Sequence, residues 1–173
     1  MINGREDTRL RILVFQHGTT IMHRTALGHS REERVEQVKL RDPSIKEYAT
    51  YVPVGEAVAK LRRWEQQGAE ILYLSSHRKP EDVARDAYVL ERFGFPAGEM
   101  LFRRDSESSA DVARRAMPDV IIEDDCESIG GQVEMTYPHL QPEEQARIVG
   151  IVVREFEGID HLPDTQSHLV RTR

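Results

Sequence analysis

Three short polar segments of this chain carry side chains that can do chemistry. In the first, residues 16–20 (QHGTT), His17 is a competent nucleophile or proton carrier near neutral pH. In the second, Ser75 and Ser76 can present hydroxyl and backbone N–H groups to an anion. The third, residues 123–125 (EDD), places three carboxylates together, and these repel one another unless a positive group compensates. A hard cation such as magnesium, which prefers oxygen ligands, would supply that charge, and so would Arg or Lys partners.

Each of these segments follows or ends an apolar run that is typical of a buried strand. The runs are RILVF at 11–15, EILYLSS at 70–76 and DVIIEDD at 119–125, with a further short strand expected at 99–103. Helical patterns separate the runs, and this alternation predicts a parallel sheet with helices on both faces. Because ligands bind beyond the carboxyl ends of such strands, we expect the three polar segments to meet at one edge of the sheet.

The expected helices rest on apolar stripes and on terminal signals. Ser30 and Glu33 have the spacing of a capping box at a helix start. Further helices are expected at 54–68, 80–94, 110–117 and 142–149, with a shorter one after Pro43. Residues 150–156 (GIVVREF) either extend the last helix or form a final strand.

The bulk composition predicts one soluble domain over residues 1–173, since 39% of the residues are hydrophobic and 31% are charged. The net charge of -6 argues against general nucleic-acid binding. Cys126, the single cysteine, excludes an internal disulfide. No apolar run approaches the ~20 residues that cross a bilayer. The N-terminus lacks the apolar part of a secretory signal, so we expect a cytoplasmic protein without membrane contact.

The order and spacing of the three segments resemble those of the haloacid dehalogenase-like superfamily, whose members are mostly phosphatases and phosphotransferases on a Rossmann-like sheet. The resemblance covers residues 10–127. It implies an α/β fold, namely a Rossmann-like three-layer sandwich with a mostly parallel sheet. The family often places a small helical cap over the site at the position of residues 20–53, so a cap-like insertion is expected there.

The motifs of that family imply roles for individual residues. Its first strand ends in Asp-x-Asp-Gly-Thr, and residues 15–19 (FQHGT) lie in that frame. Ser75 matches the Ser or Thr that ends the second strand and binds the phosphate. Asp124 and Asp125 match the acidic residues that hold a magnesium ion. The nearest candidates for the family's Lys or Arg before the last strand are residues 103–104 (RR).

The first motif of this chain departs from the family. The nucleophilic Asp of the family falls on Phe15 and its acid–base Asp on His17, and shifting the frame by one places Gln16 at the nucleophile. Neither Phe nor Gln can form an aspartyl-phosphate, so the family's usual mechanism does not carry over. The magnesium site is affected too, because the nucleophile normally helps to coordinate the ion.

Two other interpretations of the sequence assign the chemistry to histidine residues. Histidine phosphatases carry Arg-His-Gly-x-Thr after their first strand and use the histidine as phosphate acceptor, and residues 16–20 are similar. Gln16, however, lacks the charge of the arginine that would hold the phosphate. Alternatively, His17 belongs to a transition-metal site. Its partners would be His23, His29 and His77, although their spacing follows no standard ligand motif.

The sequence therefore predicts a phosphate-ester hydrolase or related phosphoryl-handling enzyme that lacks an aspartyl nucleophile. The alternative is a catalytically inactive module of the same fold that binds a phosphorylated ligand or a partner protein. We expect a phosphorylated small molecule as substrate or ligand, and Mg²⁺ as cofactor. The expected site residues are His17 and Thr19 for catalysis, Gly18, Thr20, Ser75, Ser76 and Arg104 for phosphate binding, and Asp124 and Asp125 for the metal.

Overall fold

Five parallel strands form the central sheet of the protein, in a computed structural model that describes residues 9–171. In chain order the strands are β1 (Arg11–Phe15), β2 (Ile21–Met22), β3 (Val52–Pro53), β4 (Glu70–Leu74), β5 (Met100–Leu101), β6 (Val120–Asp124) and β7 (Val149–Val153). The sheet has the order β5-β4-β1-β6-β7, and each neighbouring pair is parallel. The first strand therefore lies at the centre, between β4 and β6.

The helices fall between the strands, as the alternating pattern predicts. They are α1 (Arg31–Lys39), α2 (Ala57–Gln66), α3 (Pro80–Phe93), α4 (Ser109–Ala116) and α5 (Pro142–Arg147). Short 3-10 helices lie at Arg24–Ala26, Pro43–Lys46, Tyr48–Thr50, Gly131–Glu134, Tyr137–His139 and Gln166–Val170. Within residues 9–171 no helix is long and apolar enough to cross a membrane.

The sheet packs against helices on both of its faces. Ile12 and Val14 of β1 belong to a core that also contains residues of α2 and α3, whereas Leu13 belongs to a second core with α4. This division follows from the alternation of side chains along a strand. The predicted three-layer α/β arrangement with a parallel sheet is therefore confirmed.

For most helices and strands, the boundaries predicted from local sequence signals lie within three residues of the observed ones. Ser30 accepts the Glu33 N–H at its hydroxyl and donates its own N–H to the Glu33 carboxylate, which is the predicted capping box. Gly94 ends α3 in the left-handed conformation. The ambiguous residues 150–156 lie largely in strand β7 rather than in a longer helix.

The insertion at about 20–53 is mostly helical but also contains two very short strands. Ile21 pairs with Pro53 and Met22 with Val52, in an antiparallel arrangement. The sequence does not reveal this pair, because two residues are too few to show an alternating pattern. The pair joins the two ends of the insertion, so that the residues between them, including α1, lie beside the carboxyl end of β1.

Candidate functional site

A crevice of ≈ 230 Å³ opens where the strands of the sheet end. Its lining residues come from the ends of all five strands: His17 and Gly18 after β1, Ser76 after β4, Arg103 after β5, Asp124 at the end of β6, and Glu155 after β7. The insertion contributes His23, Val38, Ile45 and Tyr51 to the opposite wall. Parallel topology thus brings together polar groups that are far apart in the sequence, as expected for a sheet of this kind.

A tight turn after β1 directs the side chains of the first polar segment. The carbonyl of Gln16 accepts the N–H groups of Thr19, Thr20 and Ile21 at 3.2, 2.9 and 3.0 Å. Gly18 has a φ of +84, a conformation that side-chain-bearing residues rarely adopt. As a result His17 points towards α3, while Thr19 points towards the end of β6.

His17 is hydrogen-bonded to a buried aspartate. Its Nε2 lies 2.8 Å from Oδ1 of Asp86, a residue of α3 whose side chain is 0% exposed. The second oxygen of Asp86 accepts the hydroxyl of Ser75 at 2.6 Å. Asp86 is therefore held from two sides by residues that follow β1 and β4.

The charge state of Asp86 decides which nitrogen of His17 is free. Burial by itself raises the pKa of this carboxyl, but the nearby His17 and the hydrogen bonds from His17 and Ser75 bring the pKa below its usual value. An ionised carboxylate can only accept, so Nε2 of His17 carries the proton. The other nitrogen, Nδ1, is then a lone-pair acceptor in neutral His17, and it lies 3.4 Å from Oγ of Ser76.

Three aromatic side chains pack around the ring of His17. The ring centroids of Tyr51 and His77 are each 4.7 Å from that of His17, and that of Tyr48 is 5.9 Å away. Burial first, and the nearby His17 second, lower the pKa of His77, so its imidazole is neutral near pH 7. Ligand atoms of His17, His77 and Asp86 lie within 4.8 Å of one another, close enough to share a metal ion.

The two other histidines considered for such a site lie elsewhere. His23 is hydrogen-bonded to Gln37 at 2.8 Å, and His29 lies 3.4 Å from Glu33 on the surface. Of the four histidines proposed from the sequence, the structure brings together only His17 and His77.

A second cluster contains the carboxylates of Asp124, Asp125 and Glu155, whose oxygens also lie within 4.8 Å of one another. The hydrogen-bond donors to the side chains of this cluster are all neutral: the hydroxyls of Thr19 and Ser128, and the backbone N–H groups of Cys126, Glu127, Ser128 and Glu155. Burial raises the pKa of both Asp124 and Glu155. Three carboxylates whose hydrogen-bond donors are neutral fit a magnesium ion, which prefers oxygen ligands, while the positive charge of Arg31 acts on Asp125 from nearby.

Glu123 lies on the other face of β6 from Asp124, as strand alternation predicts. Its carboxylate accepts the backbone N–H groups of Thr136 and Tyr137, each at 2.7 Å. Burial raises its pKa to about 6 despite these hydrogen bonds. Glu123 therefore anchors the loop after β6 and does not contact the crevice.

The contacts of the remaining predicted residues show which of them line the crevice and which only support the residues that do. Thr19 and Thr20 are fully buried, and their hydroxyls donate to Asp124 at 2.8 Å and to the carbonyl of Phe15 at 3.0 Å. Ser75 is buried against Asp86, as described above. Arg104 is exposed, with its guanidinium 5.1 Å from the ring of Phe102.

The neighbouring Arg103 lies in the crevice instead. It donates to the carbonyl of Ser76 at 2.7 Å, and within residues 9–171 its Nε has no hydrogen-bond partner. A buried guanidinium nitrogen without a partner is costly. The positive charge of this guanidinium, at the wall of the crevice, favours an anion as the ligand there.

Asp86 and Glu155 were not predicted as site residues, although the sequence pattern around each of them indicates a role. Asp86 lies three residues after Val83 and four before Leu90, so it interrupts the apolar stripe of α3 with a charge. A carboxylate in such a stripe needs a partner. Glu155 lies two residues beyond the end of β7. Assigning residues 150–156 to a strand would have placed Glu155 at the same edge of the sheet as the other polar segments.

Replacing Gly18 with alanine is expected to destabilise the protein more than replacing Gly28 with alanine. Both glycines have positive φ, so both variants lose about 1–2 kcal/mol through the backbone. A Cβ at Gly18 would also lie 3.0 Å from both Asp124 Oδ2 and Glu155 Cγ, whereas one at Gly28 would meet nothing within 4 Å. Urea unfolding of the two variants measures the difference. Equal losses would show that the carboxylates move aside at no cost.

Comparison with known proteins finds similarity at the level of structure. No protein-family model matches the chain, and no curated protein matches it by sequence. The class C acid phosphatase from Bacillus anthracis, solved with tungstate bound, is similar with a TM-score of 0.56 and 15% identity, over 87% of this chain and 68% of that chain. A chain of the Pnkp1/Rnl/Hen1 complex is similar with a TM-score of 0.53 and 10% identity, over 87% of this chain and 48% of that chain.

At these identities the similarity concerns the fold. It covers most of this chain, which has a three-layer α/β arrangement with a parallel sheet and β1 at its centre. It agrees with the motif order that the sequence shows at the ends of β1, β4 and β6. The chain therefore shares the α/β fold of the class C acid phosphatase.

Proposed function

We propose that this protein hydrolyses a phosphate ester of a small molecule in the crevice at the carboxyl ends of its strands. The observation that carries the proposal is the pair formed by His17 and the buried carboxylate of Asp86. Because Asp86 accepts the Nε2–H, the Nδ1 of neutral His17 can accept a proton on the side of Ser76 and the crevice. A histidine oriented in this way is suited to general acid–base catalysis.

His17 would move the proton during the reaction. It accepts a proton at Nδ1 from the hydroxyl group that attacks phosphorus, and it then donates that proton to the oxygen of the leaving alcohol. Asp86 stabilises the imidazolium that exists between these two steps. Phe15, at the position of the family's nucleophile, has no group that can attack phosphorus or bind a metal.

Charge compensation for the phosphate would come from two sides of the crevice. Arg103 offers its positive charge on one side. On the other, Asp124, Asp125 and Glu155 would hold Mg²⁺, which when bound neutralises charge on the phosphate oxygens. Thr19 would act through Asp124, since it donates its hydroxyl to that carboxylate and has no exposed surface. The structural similarity to an acid phosphatase supports a phosphate ester as the substrate class.

A catalytically inactive, phosphate-binding module is the second candidate. The observation in its favour is Phe15, which lies at the crevice and packs against the core beside α4 in place of a reactive group. Such a protein would use Arg103 and the acidic cluster to bind a phosphorylated ligand without turnover.

The two candidates differ in their response to an aryl phosphate. The purified protein would be assayed with p-nitrophenyl phosphate and several divalent ions, beside His17→Ala, Asp124→Asn and the control His29→Ala. If the protein is a hydrolase, loss of the acid–base group should lower turnover by about 10²–10⁴-fold. Asp124→Asn should weaken the dependence on the divalent ion. His29→Ala should match the wild type, because His29 is a half-exposed surface residue.

Absence of turnover in the wild type with every ion would overturn the hydrolase. The same samples would then be tested for a thermal shift with phosphate compounds. A ligand present at 100 times its dissociation constant stabilises the folded state by about 2.7 kcal/mol, which a thermal scan detects. A shift in the wild type without turnover would support the binding module.

A further inference from the structure

The hydrolysis proposed above requires a group that attacks phosphorus, and the hydroxyls near the crevice differ in their availability. Those of Thr19, Ser75 and Ser128 are already donated to the carboxylates of Asp124, Asp86 and Glu155. The hydroxyl of Thr20 is buried and donates to backbone carbonyls of the turn. Ser76 and Ser109 are further serines that line the crevice, and of these two Ser76 is exposed and has an imidazole nitrogen as the partner of its hydroxyl.

That nitrogen is Nδ1 of His17, at 3.4 Å from Ser76 Oγ. Nε2 of the same ring lies 2.8 Å from Asp86, so hydroxyl, imidazole and buried carboxylate form one continuous chain. A nucleophile next to a base, with the base oriented by a third group, is the arrangement that activates a serine. A distance of 3.4 Å is long for a hydrogen bond, but catalytic hydrogen bonds are often long before substrate binds and shorten in the complex.

The surroundings of Ser76 suit an incoming phosphoryl group. Arg103 donates to the carbonyl of Ser76 at 2.7 Å, which places its guanidinium next to this residue. Its positive charge can then compensate the charge of a phosphoryl group on Ser76. Ser76 follows β4 directly after Ser75, whose hydroxyl fixes Asp86. Ser75 thus positions the pair of His17 and Asp86, whereas Ser76 faces the substrate.

We propose that Ser76 is the nucleophile and that the reaction passes through a phosphoserine at this position; this inference rests on the proposed hydrolysis. Ser76 Oγ forms a bond to phosphorus as the bond between phosphorus and the ester oxygen breaks. The hydroxyl proton moves to His17 Nδ1 and from there to the leaving alkoxide, which departs as the alcohol. Water then attacks phosphorus, His17 accepts a water proton, and Ser76 leaves as its alkoxide and takes that proton back. The products are the alcohol and inorganic phosphate.

A direct test is acid quenching during turnover of p-nitrophenyl phosphate, followed by mass spectrometry of the peptide that contains Ser76. The expected results are a phosphorylated peptide in the wild type, a burst of nitrophenol of about one equivalent per site, and loss of both in Ser76→Ala and His17→Ala. A second probe that needs no turnover is diisopropyl fluorophosphate, which should modify Ser76 in the wild type but not in His17→Ala. Ser106 is an exposed serine, so Ser106→Ala is the matched control and should behave as the wild type.

The outcomes separate the nucleophile from the hydrolysis itself. If Ser76→Ala retains turnover within about tenfold of the wild type while His17→Ala loses it, water attacks directly, so the serine nucleophile is refuted and the hydrolysis stands. If the wild type shows no turnover and the fluorophosphate leaves Ser76 unmodified, both proposals fail. Modification of Ser76 that depends on His17, without turnover, would support the activated serine and refute the phosphate ester as its substrate.

Discussion

Replacing Asp86 with asparagine is expected to lower kcat for an aryl phosphate by about 10⁴-fold while leaving the fold intact. Asparagine has nearly the same shape as aspartate and keeps an oxygen that can accept the Ser75 hydroxyl. Its NH₂ group, however, donates to Nε2 of His17, which moves the imidazole proton to Nδ1. The nitrogen that lies 3.4 Å from Ser76 can then no longer accept a proton.

The measurement is kcat for Asp86→Asn beside a thermal unfolding scan of the same sample. Glu91→Gln is the matched control, because Glu91 is an exposed carboxylate on the same helix. The control should keep wild-type kcat. If Asp86→Asn stays folded and retains kcat within tenfold, Asp86 does not orient the base, and the role assigned to the pair of His17 and Asp86 is wrong.

Replacing Trp64 with alanine is expected to lower the free energy of unfolding by about 3–5 kcal/mol. The side chain of Trp64 is 0% exposed and packs in the core on the side of the sheet that α2 and α3 cover. Its indole N–H also donates to the carbonyl of Pro163 at 2.9 Å, which ties the C-terminal segment to α2. The variant therefore loses a large apolar volume and leaves that carbonyl without its indole donor.

Urea unfolding of Trp64→Ala and Trp64→Phe separates these two effects. Phenylalanine keeps much of the apolar volume and removes the N–H, so its loss should be clearly smaller than that of alanine. A loss below about 1 kcal/mol for Trp64→Ala would contradict the expectation, since it would require the core to close around the missing ring.

In the motif frame that the sequence resemblance suggests, Phe15 would lie where phosphatases with an aspartyl nucleophile carry that aspartate. The ring lies at the end of β1, packs against the core beside α4 and forms part of the crevice wall. An apolar side chain there adds no charge to a region that holds the three carboxylates of Asp124, Asp125 and Glu155. Under the proposed mechanism, attack on phosphorus comes instead from the side of β4, where Ser76 meets His17.

The sequence by itself determined the sheet and the meeting of its polar ends. The apolar runs at 11–15, 70–74 and 120–124 form strands because they are β-rich and are separated by helices with clear caps. Parallel pairing then requires their carboxyl ends to share one edge. For this reason His17, Ser75 and Asp124 were expected to line one crevice from their positions in the chain alone, although in the structure Ser76 lines it and Ser75 is buried beside it.

Only the tertiary structure decided which of the polar residues face that crevice. His17 and Asp86 are 69 residues apart, and nothing in the local pattern around either residue specifies the other. Likewise, Thr19, Thr20 and Ser75 are polar in sequence but buried in the fold, where their hydroxyls hold the turn and the carboxylates. A local pattern determines backbone conformation, whereas the direction and partner of a side chain depend on which distant element packs against it.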